Sequence, residues 1–268
     1  MKTQMSGREF ETLCAILEAN TGIELSACKK DVVFSRLIGR LRYLELTSFS
    51  QYIEVIANND SELAKLIDKL TTHETYFFRE LEQFEFLRRY CSSIESDSSV
   101  IKAWSAACAS GEEAYSLAMV LDDALGGERW WVHGSDVSCH SIALAREAKY
   151  GLANAERIPS PLKSRYCLKG LGEAQGTVKL RPLITSRVDF SVANLAKQFH
   201  FDERFDIIFL RNILIYFHLS KQQQILNRVI AQLNPSGLLF LGHADQLSHA
   251  GSELCRLAPC VYRKAVTR

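Results

Sequence analysis

Four absences bound this 268-residue chain before any motif is read. No long uncharged apolar run is present, so a membrane-spanning helix is not expected. Met1 to Phe10 lacks the basic start and apolar centre of a secretory leader, and the chain is therefore expected to be cytoplasmic. Neither sign of charge dominates: 32 Lys and Arg stand against 31 Asp and Glu, so any electrostatic attraction to a partner must be local. The eight cysteines include no C-x-x-C pair and no clustered histidine partner. That argues against a zinc centre or a disulfide framework, and for small buried hydrophobes in a reducing compartment. No metal is expected. The remainder is ordinary for a globular protein, 47% hydrophobic and 24% charged, and long enough for one large domain or two unequal ones.

The stretch around which the chain is organised is Val100 to Leu125, VIKAWSAACASGEEAYSLAMVLDDAL. A short apolar run (Val100, Ile101, Ala103, Trp104, Ala106) is followed by small residues to Gly111. Ala114, Leu117, Ala118, Val120 and Leu121 then recur at helical spacing. This predicts a strand, a tight turn and a helix, the place in an open parallel sheet where a nucleotide-like ligand sits. Glu112 and Glu113 occupy the turn where a phosphate-binding loop avoids negative charge. A nucleoside with a cationic tail, S-adenosylmethionine before NAD or ATP, is the better match.

Before that stretch the pattern is helical. Phe10, Leu13, Cys14 and Leu17 mark a first amphipathic helix ending near Gly22, and a second runs from about Ala27 to Leu44. Lys29, Arg36 and Arg40 fall on one stripe of the second, which reads either as a solvated face or as a docking strip for an acidic partner. Two shorter helices follow. The run LTTHETYFFRE, Leu70 to Glu80, sets Arg79 beside Tyr76, Phe77 and Phe78: either a cation covering a core edge or a guanidinium poised to grip a carboxylate. The serine-rich Cys91 to Ser99 reads as a linker, giving a helical domain over 1–90 and a second domain over 100–268.

In the second domain strands and helices alternate. Trp130 to Val137 is a strand ending in Asp136, placed to accept from ribose hydroxyls or, alternatively, to cap the next helix. Residues 168–190 read as a small antiparallel β-insert, suited to adding a peptide strand or serving as filler. Phe205 to Leu210 is a buried strand running into Arg211, Asn212 and Tyr216. Ser220 is expected to cap a helix that Asn234, Pro235 and Gly237 end, and Leu238 to Leu241 and Val261 to Arg263 are the last strands, the latter at the edge.

Five blocks, LTTHETYFFRE, AWSAACASGEEAYSLAM, GSDVSCHSIALARE, FDIIFLRNILIYF and GLLFLGHADQL, in this order over nearly the whole chain, resemble the CheR type of chemotaxis receptor glutamate methyltransferase. The resemblance implies an all-α amino-terminal domain and a Rossmann-like S-adenosylmethionine-dependent methyltransferase domain with a small antiparallel β-subdomain. It implies methyl transfer onto glutamates of chemoreceptor cytoplasmic helices, with S-adenosyl-L-homocysteine as product. By position it assigns His73, Thr75, Arg79, Glu113, Asp136, Asn194, Leu195, Arg211 and Asn212 to the cofactor. It assigns Arg79 and Tyr216 to the methyl-transfer centre, and Lys29, Arg36 and Arg40 to the receptor. A receptor carboxy-terminal peptide at the β-subdomain is a further implied partner, and the chain is expected to act as a monomer without nucleic acid or membrane insertion. The chain departs from the family at His73, where Asn is common, at Ala114, where proline is usual, and at HADQL, which replaces His-Ser-Glu; the last two read as peripheral.

The chemistry suits these residue types. A glutamate carboxylate, which ordinarily titrates at about 4.3, is already an anionic nucleophile at neutral pH and needs no general base. Two other classes fit parts of the pattern: a nucleic-acid methyltransferase, suggested by the basic stripe, and a cofactor-binding module without turnover. The near-zero net charge and the lack of stacking aromatics among the basic residues weigh against the first.

Overall fold

The computed structural model describes residues 4–94, 99–199, 201–245 and 253–266. Helices come first: α1 (Gly7–Thr21), α2 (Lys30–Tyr43), α3 (Phe49–Ala57), α4 (Asp60–Leu70) and α5 (Leu81–Ser92). Local chemistry sets their ends. The Glu9 N–H donates to the Ser6 hydroxyl while the Ser6 N–H donates to the Glu9 carboxylate, a reciprocal pair that satisfies two otherwise orphaned donors. Ser48 and Asn59 cap α3 and α4 through their side-chain oxygens.

Alternation then begins: β1 (Ile101–Ala106), α6 (Glu112–Leu125), β2 (Trp130–Asp136), α7 (Cys139–Glu147), β3 (Lys149–Gly151), α8 (Leu152–Ala155), α9 (Ser160–Tyr166) and β4 (Cys167–Lys169). It continues with β5 (Thr177–Leu180), α10 (Pro182–Thr185), β6 (Val188–Val192), β7 (Phe205–Leu210), α11 (Leu219–Ala231), β8 (Leu233–Leu241), β9 (Leu254–Ala258) and β10 (Val261–Lys264). The main sheet has the order β6-β2-β1-β7-β8-β10-β9, parallel from β6 through β8, with β10 antiparallel to both neighbours. The chain leaves β1 toward β2 and β6, then returns to place β7 on its other side. The order therefore reverses between β1 and β7, where a crevice opens beyond the carboxyl ends of the strands.

Period-two alternation assigns each strand's side chains to two cores. Ala103, Ile207, Phe209, Leu238 and Phe240 face α5, α6 and the small sheet. Trp104, Ala106, Ile208, Leu210, Leu239 and Leu241 face α1 to α4 and α11. Both sheet faces are thus covered, which is why the central strands read as nearly continuous apolar runs. Each large side chain buried in this way is worth about 1.5–3 kcal/mol.

Several expectations are corrected. The helix α5 continues through Cys91 to Ser92, and Cys91 is buried in the sheet core with Phe84 and Leu87; the expected linker therefore begins later, and residues 95–98 of it lie outside the described residues. The small sheet, order β3-β5-β4, takes its third strand from Lys149–Gly151, which precedes the expected insert of 168–190. Val188 and Phe190, expected in that insert, belong to β6 at the margin of the main sheet, where β2 offers a parallel partner. The opposite edge is β9, with β10 inside it. The cap of α11 is His218, whose Nδ1 accepts from the Ser220 N–H. Asn234, Pro235 and Gly237 lie within β8, where a register shift against β7 absorbs them.

Candidate active site

The first strand-to-helix turn builds one wall of the crevice. After β1 the backbone turns left-handed at Ala107 (φ 67°), Ala109 (φ 46°) and Gly111 (φ 94°). At Gly111 a Cβ would approach Ala145 Cβ to 2.8 Å, so glycine is required both for conformation and for the close approach of α7. The turn aims the Ala109 N–H at Asp136 Oδ2 (2.9 Å), while Asp136 Oδ1 accepts from the Ser138 N–H (2.9 Å). Asp136 thus stabilises the start of α7, and it also lines the crevice. Burial pushes its carboxyl pKa upward against those two N–H donors.

Beside it, Glu112 and Glu113 begin α6. Glu112 is buried with its pKa raised by desolvation, and accepts from the Ser110 hydroxyl. Glu113 faces the crevice and accepts from the Ser105 hydroxyl (2.7 Å) and from Arg211 Nε (2.8 Å). Cys108, the cysteine within the turn, is fully buried with its thiol pKa driven upward, an inert packing residue.

The second wall comes from the segment between α4 and α5 and from the loop after β7. Thr72, Thr75, Arg79, Glu113, Asp136, Arg211, Asn212 and Tyr216 line one lobe of the crevice. His73, Asn194, Leu195, Lys29, Val137 and Phe217 line the adjoining lobe, which shares Thr72, Ala107, Asp136, Ile213 and Tyr216 with the first. The two lobes are thus one continuous crevice. His73 Nε2 lies 2.7 Å from Thr71 Oγ1 and 3.1 Å from the Asp68 carbonyl. Because the Thr71 hydroxyl already donates to the Ile67 carbonyl, Nε2 carries the proton. Asn194 donates through Nδ2 to the Asn20 carbonyl and accepts at Oδ1 from the Ala196 N–H, which fixes the loop that carries Leu195.

Two assigned arginines differ. Arg79 is partly exposed, donates from Nη1 to the Glu74 carbonyl and sits 5.8 Å from the Tyr76 ring, whose other neighbour is the Arg157 guanidinium at 3.9 Å. The Arg211 side chain is 1% exposed, and its guanidinium lies 5.3 Å from each of the contacting rings of Phe84 and Phe209. Its donors go to Glu113 Oε2, Gln83 Oε1 (3.0 Å) and the Arg79 carbonyl (2.6 Å). It holds the residues that face the crevice. Asn212, at φ 56°, donates from Nδ2 to Glu80 Oε1.

The basic stripe, Lys29 in the turn before α2 with Arg36 and Arg40 on that helix, is not a row of free cations. Arg36 Nη1 donates to the carbonyls of Leu70 and Thr71, closing the carboxyl end of α4. Arg40 grips the buried Glu62 with two 2.6 Å bonds, and the Tyr52 hydroxyl completes that cluster. Lys29 alone of the three reaches the crevice, 6.0 Å from the Tyr216 ring. Periodicity places the three together but carries no information on partners 22 to 35 residues away. Sequence reasoning also missed Gln83, Glu80 and Asp245; the last lay in plain view in HADQL, the block that reads as peripheral.

Two family models cover almost all of the chain. The all-alpha domain of CheR methyltransferases matches residues 8–71, and their SAM binding domain matches residues 73–259. The chain belongs to the CheR methyltransferase family. Similar relatives include the chemotaxis protein methyltransferase of Salmonella typhimurium, 37% identical over 96% of this chain and 90% of that protein. That of Escherichia coli is 38% identical over 91% of this chain and 86% of that protein, and chemotaxis protein methyltransferase 2 of Pseudomonas aeruginosa is 34% identical over 96% and 93%. The cofactor is accordingly S-adenosylmethionine. The donor set fits it: two carboxylates, Asp136 and Glu113, for hydroxyl and ammonium groups, with Leu195, Val137 and Phe217 as apolar wall for a base. Among the described residues no helix is long and apolar enough to cross a membrane, and no His, Cys, Asp and Glu cluster suits a metal ion.

Proposed function

We propose that this CheR family member methylates glutamate side chains on the cytoplasmic helices of chemoreceptors, acting in the cytoplasm as a monomer. The observation that carries this reading is the meeting of Arg79 and Tyr216 with Asp136 and Glu113 in one crevice at the reversal point of the sheet. Asp136 takes the ribose, Glu113 and Thr75 the amino-acid end, and His73, Asn194 and Leu195 the remainder of the cofactor. Asn212 joins them through the loop after β7, while Arg211 acts indirectly by holding Glu113 and Arg79. Bound there, S-adenosylmethionine supplies a methyl group on a cationic sulfur.

The protein's own contribution is positioning. Arg79 and Tyr216 orient the acceptor carboxylate in line with that methyl, and orientation of this kind can supply about 7 kcal/mol or more. Arg79 must hold the carboxylate loosely, since a grip that favours the ground state raises the barrier. Tyr76 and Tyr216 shield the reacting charges, whose combination to neutral products is favoured when water is excluded. Lys29 and Arg79 place cations in the crevice, and Arg157 stands nearby on the Tyr76 ring, which suits an acidic receptor helix. A receptor peptide adds to β4, an outer strand of the small sheet with Leu168 and Leu171 exposed near it. The nucleic-acid reading loses its motive, because two of the three stripe cations are internally bonded.

The test is transfer of labelled methyl from S-adenosylmethionine to a receptor cytoplasmic domain, followed by mild base. Label released as methanol identifies carboxyl esters; label that stays bound, or no incorporation with any receptor, refutes the assignment.

A further inference from the structure

We propose that Asp245 is a positioning residue for the reaction: its carboxylate gathers the backbone N–H groups of the loop after β7 and so fixes Asn212 and Tyr216 at the crevice. This role rests on the functional reading above. Asp245 is 5% exposed. Its Oδ2 accepts from the N–H groups of Asn212 and Gly242, the latter at 3.1 Å, and its Oδ1 accepts from the Leu214 N–H at 2.9 Å. Through these bonds one side chain ties the end of β7 to the end of β8. The approach is close: a Cβ on Gly242 would stand 2.6 Å from the Asn212 nitrogen. A short left-handed step at Asn212 and the turn Leu214–Tyr216 follow directly. The N–H groups of the loop point to a carboxylate in the turn after β8.

The charge is held by N–H dipoles. Among the described residues Asp245 makes no salt bridge. Among the described residues, the charged and titratable groups in this region include Glu80 at the start of α5, whose Oε1 accepts from Asn212 Nδ2 and the His243 N–H, Glu82, which pairs with His243, Cys260 ahead of β10, and Arg256 on β9. Two guanidiniums stand in this region: Arg211 is directed to Glu113, Gln83 and the Arg79 carbonyl, and Arg256 on β9 donates from Nε to the Ala258 carbonyl. Burial pushes the Asp245 carboxyl up to about 6 against the opposing backbone N–H bonds. Protonation removes acceptor capacity from one oxygen, so the loop loosens as pH falls through that value, well above the range in which a free acceptor glutamate titrates.

The experiment compares full-length wild type, Asp245→Asn and Asp245→Glu for methyl transfer to a receptor domain and for S-adenosylhomocysteine affinity, from about pH 5 to pH 8, with thermal melts on each. The expected result is a kcat about tenfold lower or more in Asp245→Asn near neutral pH. Wild-type kcat should fall on acidification near pH 6, a limb absent from Asp245→Asn. Asp245→Glu should recover most of the rate and shift the limb. A folded Asp245→Asn that keeps both the wild-type rate and the acid limb overturns the proposal. If Asp245→Asn does not fold, a limb unmoved in Asp245→Glu overturns it instead. A wild type that transfers no methyl but binds S-adenosylhomocysteine with the same limb, lost in Asp245→Asn, sinks the acceptor assignment and leaves the positioning role standing.

Discussion

Arg79 and Arg211 border the same crevice and differ in almost every physical respect. Arg211 is desolvated, set against the paired rings of Phe84 and Phe209, and its guanidinium is committed to Glu113, Gln83 and a carbonyl. Arg79 has one internal bond, to the Glu74 carbonyl, and an open side toward Tyr76 and the solvent. The first is part of the floor that gives the site its shape; the second is free to meet a substrate. Resemblance alone assigned both to the cofactor, whereas their hydrogen bonds separate building from contact.

The comparison breaks down if the two arginines respond alike to removal. Arg211→Met leaves the largely buried Glu113 without its cation and is expected to destabilise the fold by about 3–5 kcal/mol, read in a denaturant melt. Arg79→Met should shift stability by no more than about 0.5 kcal/mol. Its cost is expected in kcat, about 100-fold, with cofactor affinity less affected. Equal losses of stability in the two variants would erase the distinction.

The carboxylates sharpen the same contrast through pH. Asp136, Glu112 and Asp245 all have pKa values raised by burial, Asp245 to about 6. The folded protein therefore binds more protons than the unfolded chain between the ordinary carboxylate range and that value. Their contribution to stability is full below the unfolded pKa and is lost as pH rises through about 6 for Asp245. Melts of the unliganded protein should show this component flattened in Asp245→Asn. The smallest effect belongs to Lys29→Ala, expected to raise the KM for a receptor a few-fold, within the roughly 1 kcal/mol of an exposed ion pair, and to fade with added salt.

Much of the fold was legible, for identifiable reasons. The strand, turn and helix of 101–125 announce themselves through an apolar run, a glycine and helical spacing, all local signals. The three-residue strand β3 was hidden because Lys149–Gly151 is too short for a period and gains its structure from pairing with β5. The site divides in the same way. Asp136 could be read from its place at a strand end, but the bonding of Arg40 to Glu62 and of Asp245 to the loop after β7 joins distant segments that no local pattern connects. Arg36 and Arg40 looked like a surface stripe because helical spacing places side chains on a face without saying what packs against it.

The central claim is that the crevice at the reversal point binds the cofactor, with Asp136 as its ribose acceptor. Titration calorimetry of S-adenosylhomocysteine into the wild type and Asp136→Ala tests it directly. Loss of hydrogen bonds to a buried carboxylate predicts a weakening of roughly 3 kcal/mol or more, about 100-fold, in a variant that remains folded. An affinity unchanged by the substitution would place the cofactor elsewhere and contradict the account.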